Sequence, residues 1–200
     1  MKRIFDIIVS FLGLILLLPF LIIIGILIWC YDGRPVFFIQ SRIGLKGKPF
    51  IIYKFRSMDL PSNTNINAFE PGAINRITRV GRFLRKYKID ELPQLMNVLK
   101  GDMSLVGPRP EVKKWVDVYP ERWGKVHTVK PGITDNAAIY FRNEERILCK
   151  SDDPVKTYRE VILPRKLDLY ELYVKNNSCI KDIKLIVRTV CAIIFRNCDE

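Results

Sequence analysis

Two adjacent acids, Asp90 and Glu91, lie five residues beyond Arg85 and upstream of Arg109, an arginine enclosed by Pro108 and Pro110. A carboxylate at the start of a helix, with an arginine close by in sequence, stays ionised and can ligate a divalent cation. An arginine fixed between two prolines at a helix start has little freedom, and neighbouring amides favour anions, so it suits a phosphate. Together these residues point to chemistry on a phosphorylated substrate. Each also has a plainer reading: Asp90 as a helix cap, and Arg109 as part of a rigid turn.

The elements that must position them are short. Leu92, Leu95, Met96 and Leu99 form the buried stripe of a helix that Asp90 caps, with Pro93 tolerated in its first turn and Gly101 ending it. Residues 103–106 read as a buried strand. Gly107-Pro108-Arg109-Pro110 then turns into a further helix, with Pro110 at its first position and Val112, Trp115, Val116 and Tyr119 on its stripe. Upstream, Val80, Phe83, Leu84 and Tyr87 recur at helical spacing opposite Arg79, Arg82, Arg85 and Lys86. This basic amphipathic helix fits either a lipid headgroup layer or the surface of its own domain. Residues 36–40 and 50–58 read as a β-hairpin turning at 44–47, and the polar stretch 61–75 as a loop. Lys130-Pro131-Gly132-Ile133-Thr134 reads as a second Pro-Gly turn, whose Thr134 and Asp135 could cap or bind. Asp153-Pro154 opens another helical tract interrupted at Pro164. Residues 180–195 are a last amphipathic stretch, with Ile183, Ile186, Val187, Val190 and Ile194 on its apolar side, which either lies on a bilayer or closes the core. The single histidine, His127, has no base or nucleophile partner in the pattern and reads as structural.

Residues 7–31 carry no charge and are broken in the middle by Leu18-Pro19. A straight helix over them would reach about 37 Å, more than the roughly 30 Å of a bilayer's hydrocarbon core. Pro19 has no N–H for the carbonyl of Ile15, so a kink is the least consequence. A sharp bend there would make two arms of roughly 18–20 Å, which enter one leaflet and return. Lys2 and Arg3 precede the run, and Arg34, Arg42, Lys46 and Lys48 follow it, so both flanks favour the cytoplasm. A kinked transmembrane helix and a re-entrant one both fit. The run is too long for a signal peptide, and no small-x-small site follows it. Residues 33–200 make one further domain. A net charge of +12 and a pI near 9.6 imply an anionic partner: nucleic acid, an acidic membrane surface or a phosphorylated substrate. The five cysteines show no CxxC pair and read as reduced and cytosolic.

Three segments, Tyr53-Lys54-Phe55-Arg56-Ser57-Met58, the stretch from Asp90 to Pro110, and Lys130-Pro131-Gly132-Ile133-Thr134, in this order and spacing, closely resemble the bacterial sugar transferases, the monotopic phosphoglycosyl transferases. The resemblance implies an α+β fold, mainly α. A re-entrant membrane helix hairpin over 1–32, broken at Pro19, would precede a compact cytosolic catalytic domain over 33–200, with a small β-hairpin and amphipathic interfacial helices. The implied reaction moves a sugar 1-phosphate from a UDP-sugar to polyprenyl (undecaprenyl) phosphate, releasing UMP, as the first membrane step of glycan assembly. Asp90 would be the nucleophile that carries a covalent phosphosugar, and Glu91 would assist it. Carboxylate catalysis of this kind divides one hard displacement into two. Mg²⁺, with Asp90 as its protein ligand, would offset the repulsion between carboxylate and diphosphate. Arg85 and the Pro108-Arg109-Pro110 turn would hold phosphate or nucleotide, and Lys54 and Arg56 would add phosphate or supporting contacts. The implied location is the cytoplasmic face of a bacterial inner membrane, with the phospholipid bilayer as a partner and homo-oligomerisation left open.

After the last segment many members of the family continue Gly-Leu-Ala-Gln, whereas this chain reads Asp135-Asn136-Ala137-Ala138. The rival reading is a membrane-tethered basic binding module for acidic lipid or nucleic acid, without catalysis. It accounts for the charge and the anchor, but not for the convergence of acids, arginines and prolines between Arg85 and Pro110. The sequence also lacks a basic stripe interleaved with aromatics that would stack bases, so nucleic acid is not expected as a partner.

Overall fold

The computed structural model describes residues 2–59 and 76–195, so the loop expected at 61–75 lies outside the described residues. The fold is mainly helical. Helix α1, Lys2–Asp32, runs as one continuous α-helix with Pro19 inside it, and the two-armed break expected at Pro19 is not seen. One face of α1 is docked along its whole length: Asp6, Ser10, Ile24 and Ile28 are buried, and Leu14, Leu17 and Leu21 are partly buried between them. The steps of three and four residues that connect them make a stripe along the helix. Contacts on both sides of Pro19 hold the helix where the proline has removed a hydrogen bond. The opposite face, including Phe11, Leu12, Ile15, Leu16, Ile22, Ile23 and Trp29, is exposed.

Both ends of α1 are fastened to the same domain. Lys2 donates to the carbonyl of Val106 (3.0 Å) and pairs with Asp182. Arg3 donates to the carbonyls of Val98 (2.6 Å) and Leu99 (3.1 Å), and Asp6 accepts from the Ser104 hydroxyl (2.8 Å). At the other end Asp32 accepts from the Thr78 hydroxyl (2.8 Å), and Arg56 donates to the carbonyls of Asp32, Gly33 and Arg34.

Strands β1, Phe37–Ile43, and β2, Pro49–Phe55, form the expected antiparallel hairpin, with Phe38 opposite Lys54 and Arg42 opposite Phe50. Helix α2, Arg79–Lys86, is capped by Thr78, whose hydroxyl accepts from Gly81 N at 2.8 Å. Its Leu84 is buried with Ile24, Ile28 and Phe55, while Phe83 and Tyr87 are exposed. Asp90 is not an N-cap. Lys88 turns the chain in the left-handed region (φ 56°), a tight 3₁₀ turn spans Ile89–Gln94, and helix α3, Leu95–Lys100, begins only after it. The tighter turn directs Glu91 toward β2 and leaves Asp90 Oδ1 without a partner. Gly101, at φ 98°, ends α3 as expected.

Strand β3, Ser104–Val106, pairs in parallel with β4, Gly132–Thr134, so the last three residues of the segment expected as a Pro-Gly turn are a strand. Gly107 and Gly132 make this possible: a Cβ on Gly132 would sit 2.0 Å from Gly107 N, so neither position tolerates a side chain. Helix α4, Lys113–Val116, starts three residues later than Pro110, because Glu111 is spent on a backbone bridge in which its carbonyl accepts from Ile43 N at 2.9 Å. Helices α5, Pro120–Val126, α6, Asn136–Tyr140, α7, Glu144–Cys149, and α8, Pro154–Thr157, follow. A π-helical turn, Tyr158–Ile162, leads into α9, Leu163–Asn176, whose first turn takes Pro164, and α10, Cys179–Ile194, closes the order. Val112, Trp115, Trp123, Val126, Tyr158 and Leu167 form one core, and Ile52, Val98, Met103, Val106 and Leu185 another. Leu185 of α10 closes that second core, whereas Ile180, Ile183, Val187 and Val190 face outward. His127 is buried and stacks on Trp123, with ring centroids 5.2 Å apart.

Candidate active site

The acidic pair sits where the 3₁₀ turn packs against β2, and Asn97 sets that packing. Fully buried, Asn97 donates to the Ile51 carbonyl (2.6 Å) and accepts from Tyr53 N (3.1 Å), completing the outer edge of β2 as a neighbouring strand would. The turn just before it is thereby held against Lys54. Lys54 Nζ lies 3.1 Å from Glu91 Oε1. From the other side Arg109 grips Glu91 with both terminal nitrogens, Nη1 to Oε2 at 2.9 Å and Nη2 to Oε1. This fork on a carboxylate is a strong, oriented contact.

The electrostatics separate the two acids. Burial alone would raise Glu91, but Arg109 and Lys54 overcome it and hold its carboxyl well below the usual range. Asp90 is pushed upward by burial and by the charge of Glu91. Its Oδ1 is buried without a hydrogen-bond partner. One carboxylate is therefore fully engaged and permanently charged, while its neighbour has an oxygen to spare. Burial also lowers Lys54 to about 8, against the pull of Glu91.

The remaining expected site residues divide. Lys54, Arg109 and Glu91 come together directly. Arg85 pairs with Glu145 and acts on Asp90 only through its charge. Arg56, expected on the hairpin strand, lies one residue past its end at Phe55, and its guanidinium is taken up by the carbonyls at the end of α1. Pro108 accepts from Gly132 N at 3.0 Å, and Pro110 accepts from Arg42 at 3.4 Å, so the turn that carries Arg109 is tied down on both sides. Pro19 lies within α1, as described above.

Sequence reasoning missed the buried network behind Arg109. Glu111 accepts from Arg42 (2.7 Å), from the Tyr158 hydroxyl (2.7 Å) and from Val112 N (2.9 Å). Lys166 stands over the Tyr158 ring at 5.0 Å and pairs with Glu144 at 2.6 Å. Lys88, at the left-handed position, adds its charge to both acids. A glutamate right after Pro-Arg-Pro was the one available signal. Among the described residues, no group of three or more His, Cys, Asp or Glu side chains could cage a metal. A cation here would rest on Asp90 and on oxygens of the substrate, the arrangement Mg²⁺ adopts with phosphates.

A family model described as bacterial sugar transferase matches residues 1–196. An uncharacterized sugar transferase of Bacillus subtilis is 44% identical over 158 residues, 79% of this chain and 69% of the relative. A UDP-N-acetylgalactosamine-undecaprenyl-phosphate N-acetylgalactosaminephosphotransferase of Aeromonas hydrophila is 36% identical over 96% of the chain. A UDP-glucose:undecaprenyl-phosphate glucose-1-phosphate transferase of Klebsiella pneumoniae is 38% identical over 94%. The chain spans 43% and 39% of the length of these last two relatives.

Proposed function

Because the chain belongs to the bacterial sugar transferase family, we propose that it transfers a sugar 1-phosphate from a UDP-sugar to undecaprenyl or a similar polyprenyl phosphate, releasing UMP. One observation carries this reading: Asp90 keeps a buried, unpartnered oxygen beside a glutamate locked by a lysine and an arginine. In the first step an Asp90 oxygen attacks the phosphorus that bears the sugar, and the bond from that phosphorus to UMP breaks. The nucleotide leaves with the bond electrons, and an aspartyl phosphosugar remains. In the second step an oxygen of polyprenyl phosphate attacks the same phosphorus and returns Asp90 as a carboxylate. The product is a polyprenyl diphosphate sugar.

Glu91 holds Arg109 and Lys54 as a preorganised pair of cations facing the phosphates, so little reorganisation is needed when charge shifts toward UMP. A bound Mg²⁺ would be held by Asp90 and the diphosphate and would supply charge neutralisation for the leaving nucleotide. The unpartnered Asp90 oxygen fits such a ligand.

The reading extends to the membrane. Both ends of α1 and a stripe along its length rest on one domain, which supports a helix whose exposed apolar face lies in a single leaflet with both ends on the cytoplasmic side. A helix fastened at both ends to one domain would keep both ends on one side of the bilayer without the bend expected at Pro19. The outward apolar face of α10 would meet the same surface, and a lipid-borne phosphate would reach Asp90 there. The rival reading, a binding module without catalysis, gives no role to the unengaged Asp90 oxygen.

The test is UMP release in membranes given polyprenyl phosphate, Mg²⁺ and a panel of UDP-sugars. At least one sugar gives turnover, and Asp90→Asn abolishes it while leaving the protein folded. Turnover at the wild-type rate in Asp90→Asn would refute the nucleophile assignment.

A further inference from the structure

The parallel pair β3 and β4 delivers two side chains to one place. Val106 and Thr134 are register partners, and Gly107 N donates to the Thr134 carbonyl at 3.1 Å. Arg109 follows within the turn after β3, and Asp135 follows β4 directly. Arg109 and Asp135 act on each other's charge there, and Lys166 and Tyr170 share the same surroundings.

Asp135 is 2% exposed. Its Oδ1 caps α6, accepting from Ala138 N at 2.7 Å, and its Oδ2 is buried with no hydrogen-bond partner. Burial pushes Asp135 upward against the pull of the helix amides and Arg109, and leaving a buried acceptor unpaired is costly, so its second oxygen has room for a partner outside the protein. The cap does not explain the second oxygen, because serine or threonine caps a helix with one. A phosphate is the wrong partner for a carboxylate; a neutral hydroxyl is the right one.

We propose that Asp135 Oδ2 accepts a hydrogen bond from a hydroxyl of the donor's sugar, making Asp135 a sugar-recognition residue of this site. The proposal rests on the transferase reading above. Arg109 is the link between the two acids, forked on Glu91 beside Asp90 and felt as charge by Asp135, so with Asp90 on the sugar-bearing phosphorus the inference assigns the donor's sugar to the end of β4. Arg109 and Asp135 then divide the substrate between them, phosphate to the cation and hydroxyl to the carboxylate.

Asp135→Ser keeps a capping oxygen and removes the second one. For the UDP-sugar that the wild type turns over, it lowers kcat/KM by about 10- to 100-fold, the value of one hydrogen bond to a charged group. Inhibition by UMP stays within about twofold of wild type, since UMP carries no sugar. Among UDP-deoxysugars, removing the contacted hydroxyl costs the wild type as much as the substitution does, and costs the serine variant nothing further. Unchanged kcat/KM overturns the proposal, and so does an equal loss of UMP inhibition, which would set Asp135 against the nucleotide. If the serine variant does not fold, Asp135→Asn, with cap and shape retained, must give the same split between UDP-sugar and UMP or the proposal fails. A wild type that releases no UMP from any UDP-sugar would instead sink the transferase reading itself.

Discussion

Lys54 gives the sharpest pH prediction. Burial brings it from 10.5 to about 8, with Glu91 the strongest influence in the other direction. At about 1.4 kcal/mol per pH unit, the folded protein bears roughly 3 kcal/mol to keep this ammonium charged. Below pH 8 the folded and unfolded chains both hold the proton, and the full cost is present. Between about 8 and 10.5 only the unfolded chain holds it, so Lys54 makes stability rise with pH in that window. Activity should move the opposite way, because neutral Lys54 no longer supports Glu91 or faces phosphate with charge. A pH profile of kcat/KM for UMP release should therefore fall about tenfold per unit above an upper limb near 8. Its acid limb should lie above the ordinary aspartate value of 3.8, because Asp90 is raised by burial and by Glu91. Lys54→Arg should carry the upper limb beyond pH 10, since arginine keeps its proton. Glu91→Gln should bring the limb below that of the wild type. Thermal unfolding over the same range separates loss of the site's charge from loss of the fold. An upper limb unmoved by Lys54→Arg would refute the assignment.

Two further outcomes follow from the packing. Glu111→Gln leaves Arg42 short of its buried counter-charge and should destabilise the protein by about 3 kcal/mol, lowering Tm by roughly 6–12 °C; a change under about 1 kcal/mol in a thermal melt would mean that water reaches the pair. Tags placed after Met1 and after Glu200 should both be inaccessible from outside intact cells, and labelling of the N-terminal tag alone would mean that α1 crosses the bilayer.

The local pattern was legible where one element decides the outcome. The hairpin, the basic helix from Arg79, the stop at Gly101 and the opening at Asp153-Pro154 all followed from period and turn chemistry. What failed was decided by long-range partners. Asp90 read as a cap because helices commonly begin on aspartate, yet Lys54 and Arg109 draw the Asp90-Glu91 pair into a tighter turn. Lys130 to Thr134 read as a turn because nothing local says that Gly107 lies against Gly132. Pro110 read as a helix start, but the bridge from Glu111 to Ile43 postpones that helix. At the site, the residue types were visible but their division of labour was not. That Glu91 is fully engaged, that Asp90 and Asp135 each keep a free oxygen, and that Arg56 serves the end of α1 required the packed structure.

Asp90 is expected to become covalently bound to the phosphosugar. The most direct measurement mixes the purified protein with its UDP-sugar and no polyprenyl phosphate, then follows UMP and the intact protein mass together. The expected result is a burst of about one UMP per polypeptide, a mass gain equal to the sugar phosphate, and loss of that gain when polyprenyl phosphate is added or Asp90 is asparagine. UMP release that begins only with acceptor present, with no mass gain at any time, would contradict it.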